Sequence, residues 1–468
     1  MNQPHKVHGD QNIIIQNVSD THVTVEVNGS VQKVENKLEE IIKLLEGESA
    51  SITINQISYS NDAFTDESFK YVSGGKGHNT VLIKKLVEAL DDFGNASVQK
   101  IFSRLTAEQK HAWEYNPRIS SKVKEKLRES WLGGVLGIML GKLFAIGSQE
   151  YSTEKTDAFL KHSLELAKMT LQILNFALIS FLWDKKKEKK LTFNEEEKKV
   201  VRDFFEGFVE KNLGEESKLL SDVCQLYKRH KLSFPMEELP PLLEKGTLES
   251  IKQNCEDLHV IDRKRAEGDI TPLSCYVAEQ HLGDLIGSLI FLSTYEMTSV
   301  KKVVYEEARD TNHFYLHFLA PIKAASFQRT EKTYETLNFA RETICTEAVL
   351  MHKDRYQQSI NLFPFLIDLN ALTFDKGTHI GFFREKDTDN PELHFWFLGS
   401  GKRDRISYSG KLKAEMKEEE LNELFKEEKE QESLRKQLKA DSVYLQFQAA
   451  RRDLLDEKDT IEDIFSEE

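Results

Sequence analysis

Thirteen consecutive residues, Leu171 to Trp183, hold only Gln172, Asn175 and Ser180 as polar members. They belong to MTLQILNFALISFLWDKKKEKK (169–190), in which the tryptophan is followed by five lysines in seven residues. A helix this apolar has no face to offer water, so it is either covered on all sides or placed in a membrane. A second run, WLGGVLGIMLGKLFAIG (131–147), imposes a related constraint. Gly133, Gly137 and Gly141 recur every four residues and share one helical face. A glycine in a helix interior costs roughly 1 kcal/mol relative to alanine, and with Gly134 the sum is on the order of 3–4 kcal/mol. Close approach of another helix backbone, as in small-xxx-small packing, is the usual offset.

Two arrangements satisfy both runs. In the first they are neighbouring helices of a soluble bundle, buried on all sides. Lys142, Glu165 and Lys168 interrupt the apolar stretches, neither reaches the ~18–20 clean residues of a span, and the mean hydropathy of the chain is -0.49. In the second they form a concealed hairpin released to attack or anchor to a membrane, with Trp183 at the interface and the lysines as its basic flank. The first is the leading expectation, and the lysine run then reads as a solvated helix end.

The remaining pattern is mixed. A chain of 468 residues suits two or three domains. Residues 12–16 and 22–27 read as short strands, the second with Val23, Val25 and Val27 alternating against Thr24 and Glu26. Ser19-Asp20 suits the turn between them. A helix from Asn36 to Leu45, a strand carrying Ile52, Ile54 and Ile57, and a polar hinge through SGGKGHN follow. From about 80 to 300 the pattern is helical. Thr106 with Gln109 and Asn194 with Glu197 have capping-box spacing, and Thr271-Pro272 suits an N-cap and first helical residue. After 302, FYLHFLAPI, NLFPFLIDL, HIGFFRE and LHFWFLG read as strands, DTDNP as a hairpin turn between the last two, and Thr333–Gln358 as a helix crossing the sheet. Residues 411–440, with nine acids and eight bases, suit a solvated helix. DLLDEKDTIEDIFSEE, with eight acids, reads as a mobile tail in which Ile464 and Phe465 could dock on a partner.

The expected fold class is therefore α+β, with a predominantly helical central body, a short N-terminal β-rich segment and a smaller C-terminal β-containing module. The expected divisions are 1–60, 80–300, 302–410 and 411–468. A net charge of -14 disfavours broad nucleic-acid binding. Cys224, Cys255, Cys275 and Cys345 match no zinc or disulfide framework and read as reduced thiols of a cytoplasmic protein. The polar opening MNQPHKVHGD lacks a signal-peptide pattern.

Familiar catalytic patterns fail residue by residue. SGGKGHNT has Gly77 after Lys76 and Lys70 in place of the first P-loop glycine; GSGKRD has Trp396 and Arg403 at the corresponding places. His313 and His317 are four apart without the neighbouring glutamate of a zincin helix. Cys345 and His352 have no surroundings that suggest a nucleophile and base. Asp368 precedes the strand carrying Glu385-Lys386-Asp387, but the Glu-x-Lys order of a nuclease is broken. No catalytic, cofactor-binding or metal-ligating residue is assigned on this reading, and the balance leans away from an enzyme.

GDQNIIIQNVSDTHVTVEVNGSVQKVENKLEEIIKLLE, with SITINQISYSNDAF after it, resembles the leader region of bacterial conflict-system proteins. Those proteins are associated with antiphage defence and programmed cell death and often accompany STAND-type NTPases. The resemblance covers about 60 of the 468 residues, and this chain has no NTPase core pattern of its own. It implies an adaptor or effector whose partner is a STAND-type NTPase or copies of itself. Short strands marginal in water are stabilised by adding to a sheet edge, so these either dock on a neighbouring chain, with Ile13, Ile15, Val23 and Val25 as the partner-binding positions, or cap the C-terminal sheet of the same chain. The leading expectation is a non-enzymatic, homo-oligomeric interaction protein of bacterial defence. A membrane-acting effector is the alternative, and a cryptic hydrolase or nuclease the third reading.

Overall fold

The computed structural model describes residues 6–7, 13–19, 22–28, 51–58, 79–106, 109–110, 113, 116–131, 135–147, 153–209, 211–306, 314–322, 335–340, 344–353, 359–369, 379–398, 403–410 and 428–457. Gly133, Gly134, His313, Ile464, Phe465, the expected helix at 36–45 and the expected hinge up to residue 78 lie outside them. The protein is α+β and helix-dominated. Its helices are α1 (Thr80–Asp92), α2 (Ala96–Phe102), α3 (Pro117–Ser130), α4 (Val135–Gly147), α5 (Thr153–Lys189) and α6 (Glu195–Glu206). They continue with α7 (Leu213–Arg229), α8 (Leu239–Glu244), α9 (Thr247–Glu267), α10 (Pro272–Ser288) and α11 (Glu428–Leu455).

The strands form three sheets. β1 (Lys6–Val7), β2 (Ile13–Ser19), β3 (His22–Asn28) and β4 (Ser51–Ser58) pair in that order. β5 (Glu296–Glu306), β6 (Phe314–Pro321), β7 (Glu335–Ala340), β8 (Val349–His352) and β9 (Ile360–Asn361) pair in the order β7-β6-β5-β8-β9. β10 (Leu366–Asp368), β11 (Ile380–Lys386), β12 (Glu392–Phe397) and β13 (Arg403–Ser407) form an antiparallel meander. By Cα proximity the chain divides into two compact units, one from 1–127, 140–165 and 260–287, the other from 128–139, 166–259 and 288–468.

In the first unit α1 buries Leu82, Leu86 and Leu90, four residues apart on one face. Its first turn is satisfied by a carboxylate far away in sequence. Glu279 of α10 is fully buried and accepts from the backbone N–H groups of Asn79, of Val81 at 3.0 Å and of Leu82 at 3.0 Å. A negative group there meets both the unpaired donors and the positive end of the helix dipole. Asn79 holds the left-handed conformation at φ 88° and donates its side-chain N–H to the Leu143 carbonyl at 2.9 Å.

In the second unit the residues of α5 from Met169 to Trp183 are all buried. Phe176 is the hub of the core, its ring 5.6 Å from that of Phe208, 6.0 Å from Phe365, 6.1 Å from Phe204 and 6.4 Å from Phe382. α6 and α7 each start with a complete capping box. Asn194 and Glu197 exchange bonds of 3.0 and 2.9 Å, and Asn212 and Glu215 bonds of 2.8 and 3.0 Å. Thr106 and Gln109 exchange the same pair in the first unit, at 3.1 and 3.2 Å.

Four local expectations are corrected. Residues 335–340 and 349–352 are strands, not a crossing helix; a short buried run such as Val349–His352 has no face periodicity to separate the two. β5 begins at Glu296, inside the stretch expected to be helical. The terminal acidic stretch is helical as far as Leu455, with Leu454 fully buried, because α11 has a packed face there. The lysine run is not simply a solvated end. Lys186 is buried, lies 4.2 Å over the Phe193 ring, and pairs with Asp456 at 2.9 Å and the Leu454 carbonyl at 3.1 Å.

Candidate functional site

The β11–β12 hairpin gathers ionisable side chains, and the backbone explains how. Phe383 stands opposite Phe395, but Glu385 stands opposite His394, so Arg384 is the extra residue of a bulge. Phe208 accommodates it by donating its N–H to the Arg384 carbonyl. Gly207, at φ 100°, makes the approach feasible, since a Cβ there would lie 2.3 Å from that oxygen. The bulge sets Glu385 directly across from His394, and His394 Nδ1 lies 2.9 Å from Glu385 Oε1. The turn from Asp387 to Pro391 then brings Asp387 beside the same ring. Asp387 Oδ1 accepts from the N–H groups of Asp389 at 2.8 Å and Asn390 at 2.9 Å. These donors hold its carboxyl below the usual aspartate range. Its Oδ2 lies 3.8 Å from His394 Nε2.

Glu392, two residues before His394 on β12, completes the group on the same strand face. It accepts from Ser407 Oγ at 2.9 Å and from Arg405 at 3.4 Å across the β12–β13 pair. The side chains of Asp387, Glu392 and His394 are partly buried, and their ligand atoms lie within 4.8 Å of one another. Among the described residues they are the one set of three His, Cys, Asp or Glu side chains gathered closely enough to hold a metal ion. The Glu-x-His spacing on a strand is too common to have marked them in the sequence.

A second polar cluster lies inside the helical part of the same unit. Glu216 of α7 is fully buried and accepts from Gln172 Nε2 of α5 at 3.2 Å, while Asn175 donates to the Glu216 backbone carbonyl at 3.4 Å. Glu216 Oε2, Gln172 Oε1 and Asn175 Oδ1 have no hydrogen-bond partner among the described residues. Burial pushes the Glu216 carboxyl up to about 7, against the pull of Lys168, Arg384, the Gln172 bond and Lys211.

Asp368 is fully buried; it accepts from Ser299 Oγ at 2.6 Å and the His379 N–H at 2.8 Å, and pairs with Lys301. His317 is buried and accepts from the Ile344 N–H at 3.0 Å, and burial lowers its proton affinity. Burial pushes the Cys345 thiol up to about 12, the opposite of an activated nucleophile. A cavity of about 180 Å³ beside Cys224 and Lys228 is smaller than the ~300–1,000 Å³ of common ligand pockets.

Gly137 is buried in α4, and a Cβ there would lie 1.8 Å from the Arg128 carbonyl oxygen. Gly141 is partly exposed in the same helix. Trp183 is buried and donates Nε1–H to Asp453 at 2.9 Å, with Lys187 4.2 Å over its ring. The α5 segment Glu154–Lys189 is long and apolar enough to cross a membrane, and its most apolar window is 94% buried within the protein. Ile15 of β2 is the register partner of Val25 of β3, Ile13 pairs with Val27, and Val23 pairs with Ile52 of the parallel neighbour β4.

Compared with protein-family models, curated proteins and solved structures, the chain has no match.

Proposed function

We propose that this chain is a non-enzymatic interaction protein of bacterial antiphage defence, which assembles with copies of itself or with a protein partner through its N-terminal strands. The observation that carries the reading is the β1-β2-β3-β4 sheet. β4 spans eight residues, and among the described residues it pairs on one side only, with β3. An edge of that length presents unpaired N–H and C=O groups to an incoming strand. Ile13, Ile15, Val23 and Val25 lie on the two central strands of this sheet. The resemblance of residues 9–64 to conflict-system leaders supports the same role and the biological setting.

Light scattering on the purified full chain and on a chain lacking residues 1–60 tests the assembly step. The full chain is expected at a multiple of 54.0 kDa, and the shortened chain as a monomer. Thr53→Pro, which removes one donor from β4, is expected to weaken assembly without shortening the chain. An unchanged mass in both variants, with no loss of partner capture, would remove the proposed role of the strands.

A further inference from the structure

We propose that Asp387, Glu392 and His394 bind one first-row divalent cation, with Zn²⁺ the ion that fits their chemistry best. The imidazole decides the matter. In the tautomer that donates Nδ1–H to Glu385, Nε2 presents a lone pair. That nitrogen is buried and has no hydrogen-bond partner among the described residues. The nearest acid oxygen, Asp387 Oδ2, is 3.8 Å away, too far for a hydrogen bond from an imidazolium. This unpartnered nitrogen is grouped with carboxylate oxygens of Asp387 and Glu392, a donor set that suits a divalent cation.

The surroundings match those of a metal-bound histidine. Such a ring usually donates its other N–H to a carboxylate, which fixes the tautomer and strengthens the ligand nitrogen. Glu385 occupies that place, put there by the bulge at Arg384. Asp387 keeps Oδ2 for the ion while Oδ1 stays bound to the turn. Two carboxylates and a neutral imidazole balance a charge of about two and leave one tetrahedral position for water. Ligand atoms around zinc stand ~3.3–3.5 Å apart, as bond lengths of ~2.0–2.2 Å require; the 4.8 Å limit observed is wider, so ligation would draw the three side chains together, with Glu392 giving up its bond from Arg405 or from Ser407. Arg405 opposes binding by its charge, but its side chain is 65% exposed and can swing into solvent. Magnesium prefers six oxygens and is disfavoured by the imidazole. The ion would tie the hairpin turn to β12, a role compatible with an interaction protein and independent of the N-terminal strands.

Titration calorimetry with ZnCl₂ on the full chain tests the proposal, with Co²⁺ absorption as a second readout. The chain is expected to take up one Zn²⁺ at this site, with a rise in Tm. His394→Gln and Asp387→Asn are each expected to lower the affinity at least ~10-fold, and Glu385→Gln by ~10–100-fold, as loss of an outer carboxylate does. Asp387→Asn retains an oxygen for the two turn N–H groups, so it separates ligation from folding of the hairpin. Absence of Zn²⁺ uptake by the folded chain, or equal uptake by the His394→Gln and Asp387→Asn variants, would overturn the site.

Discussion

Replacing Glu216 by glutamine tests how the buried polar cluster contributes to stability. The carboxyl rises from 4.5 in an unfolded chain to about 7 in the folded one. Between these values the folded state holds a proton that the unfolded state has released, so stability falls as pH rises. At ~1.4 kcal/mol per pH unit the loss amounts to about 3 kcal/mol once the pH exceeds 7. Below 4.5 both states are protonated and the term vanishes. Glutamine has the same shape without the charge, and its amide N–H can serve Gln172 Oε1 or Asn175 Oδ1, which have no donor among the described residues. Glu216→Gln is therefore expected to be stabilising by up to about 3 kcal/mol at pH 8 and near neutral at pH 4. Urea titrations at several pH values, followed by tryptophan fluorescence, measure the difference. A difference that stays constant from pH 4 to 8, or a variant less stable than the parent at pH 8, would refute the assignment of a raised carboxyl.

Further outcomes follow from packing and capping. Gly137→Ala forces a methyl against the Arg128 carbonyl and is expected to lower stability by about 1–3 kcal/mol despite its better helix propensity. Gly287→Ala meets only the Ala89 Cβ at 3.6 Å and should be neutral or stabilising by up to ~1 kcal/mol, with thermal unfolding separating the two. Phe176→Ala removes the ring at the centre of the core and should cost about 3–5 kcal/mol in chemical denaturation. Asn194→Ala deletes one half of the α6 capping box, with an expected loss of ~1 kcal/mol, read as faster hydrogen exchange in the first turn of that helix.

Local chemistry carried much of the architecture into the sequence. The strands at Ile13–Ser19, His22–Asn28 and Ser51–Ser58 follow β-branched runs, and the Asn194 capping box follows from two residues three apart. The apolar α5 run was legible because no face of it is polar. What escaped depends on contacts distant in sequence. Glu279 reads as an ordinary helix residue, and only the fold brings it to the first turn of α1, 197 positions from Leu82. The Asp387–Glu392–His394 group depends on a one-residue bulge, which flips the strand face and leaves no mark in residue type. The β7–β8 stretch reads as helix in the sequence because short strands and buried helical turns share composition.

Assembly through the N-terminal strands is the proposed mode of action of this molecule. Multi-angle light scattering of the intact 54.0 kDa chain beside its Thr53→Pro variant tests it most directly. A defined oligomer is expected for the first and dissociation toward single chains for the second. Single chains in both samples at every concentration, with no partner retained by the intact protein, would contradict it.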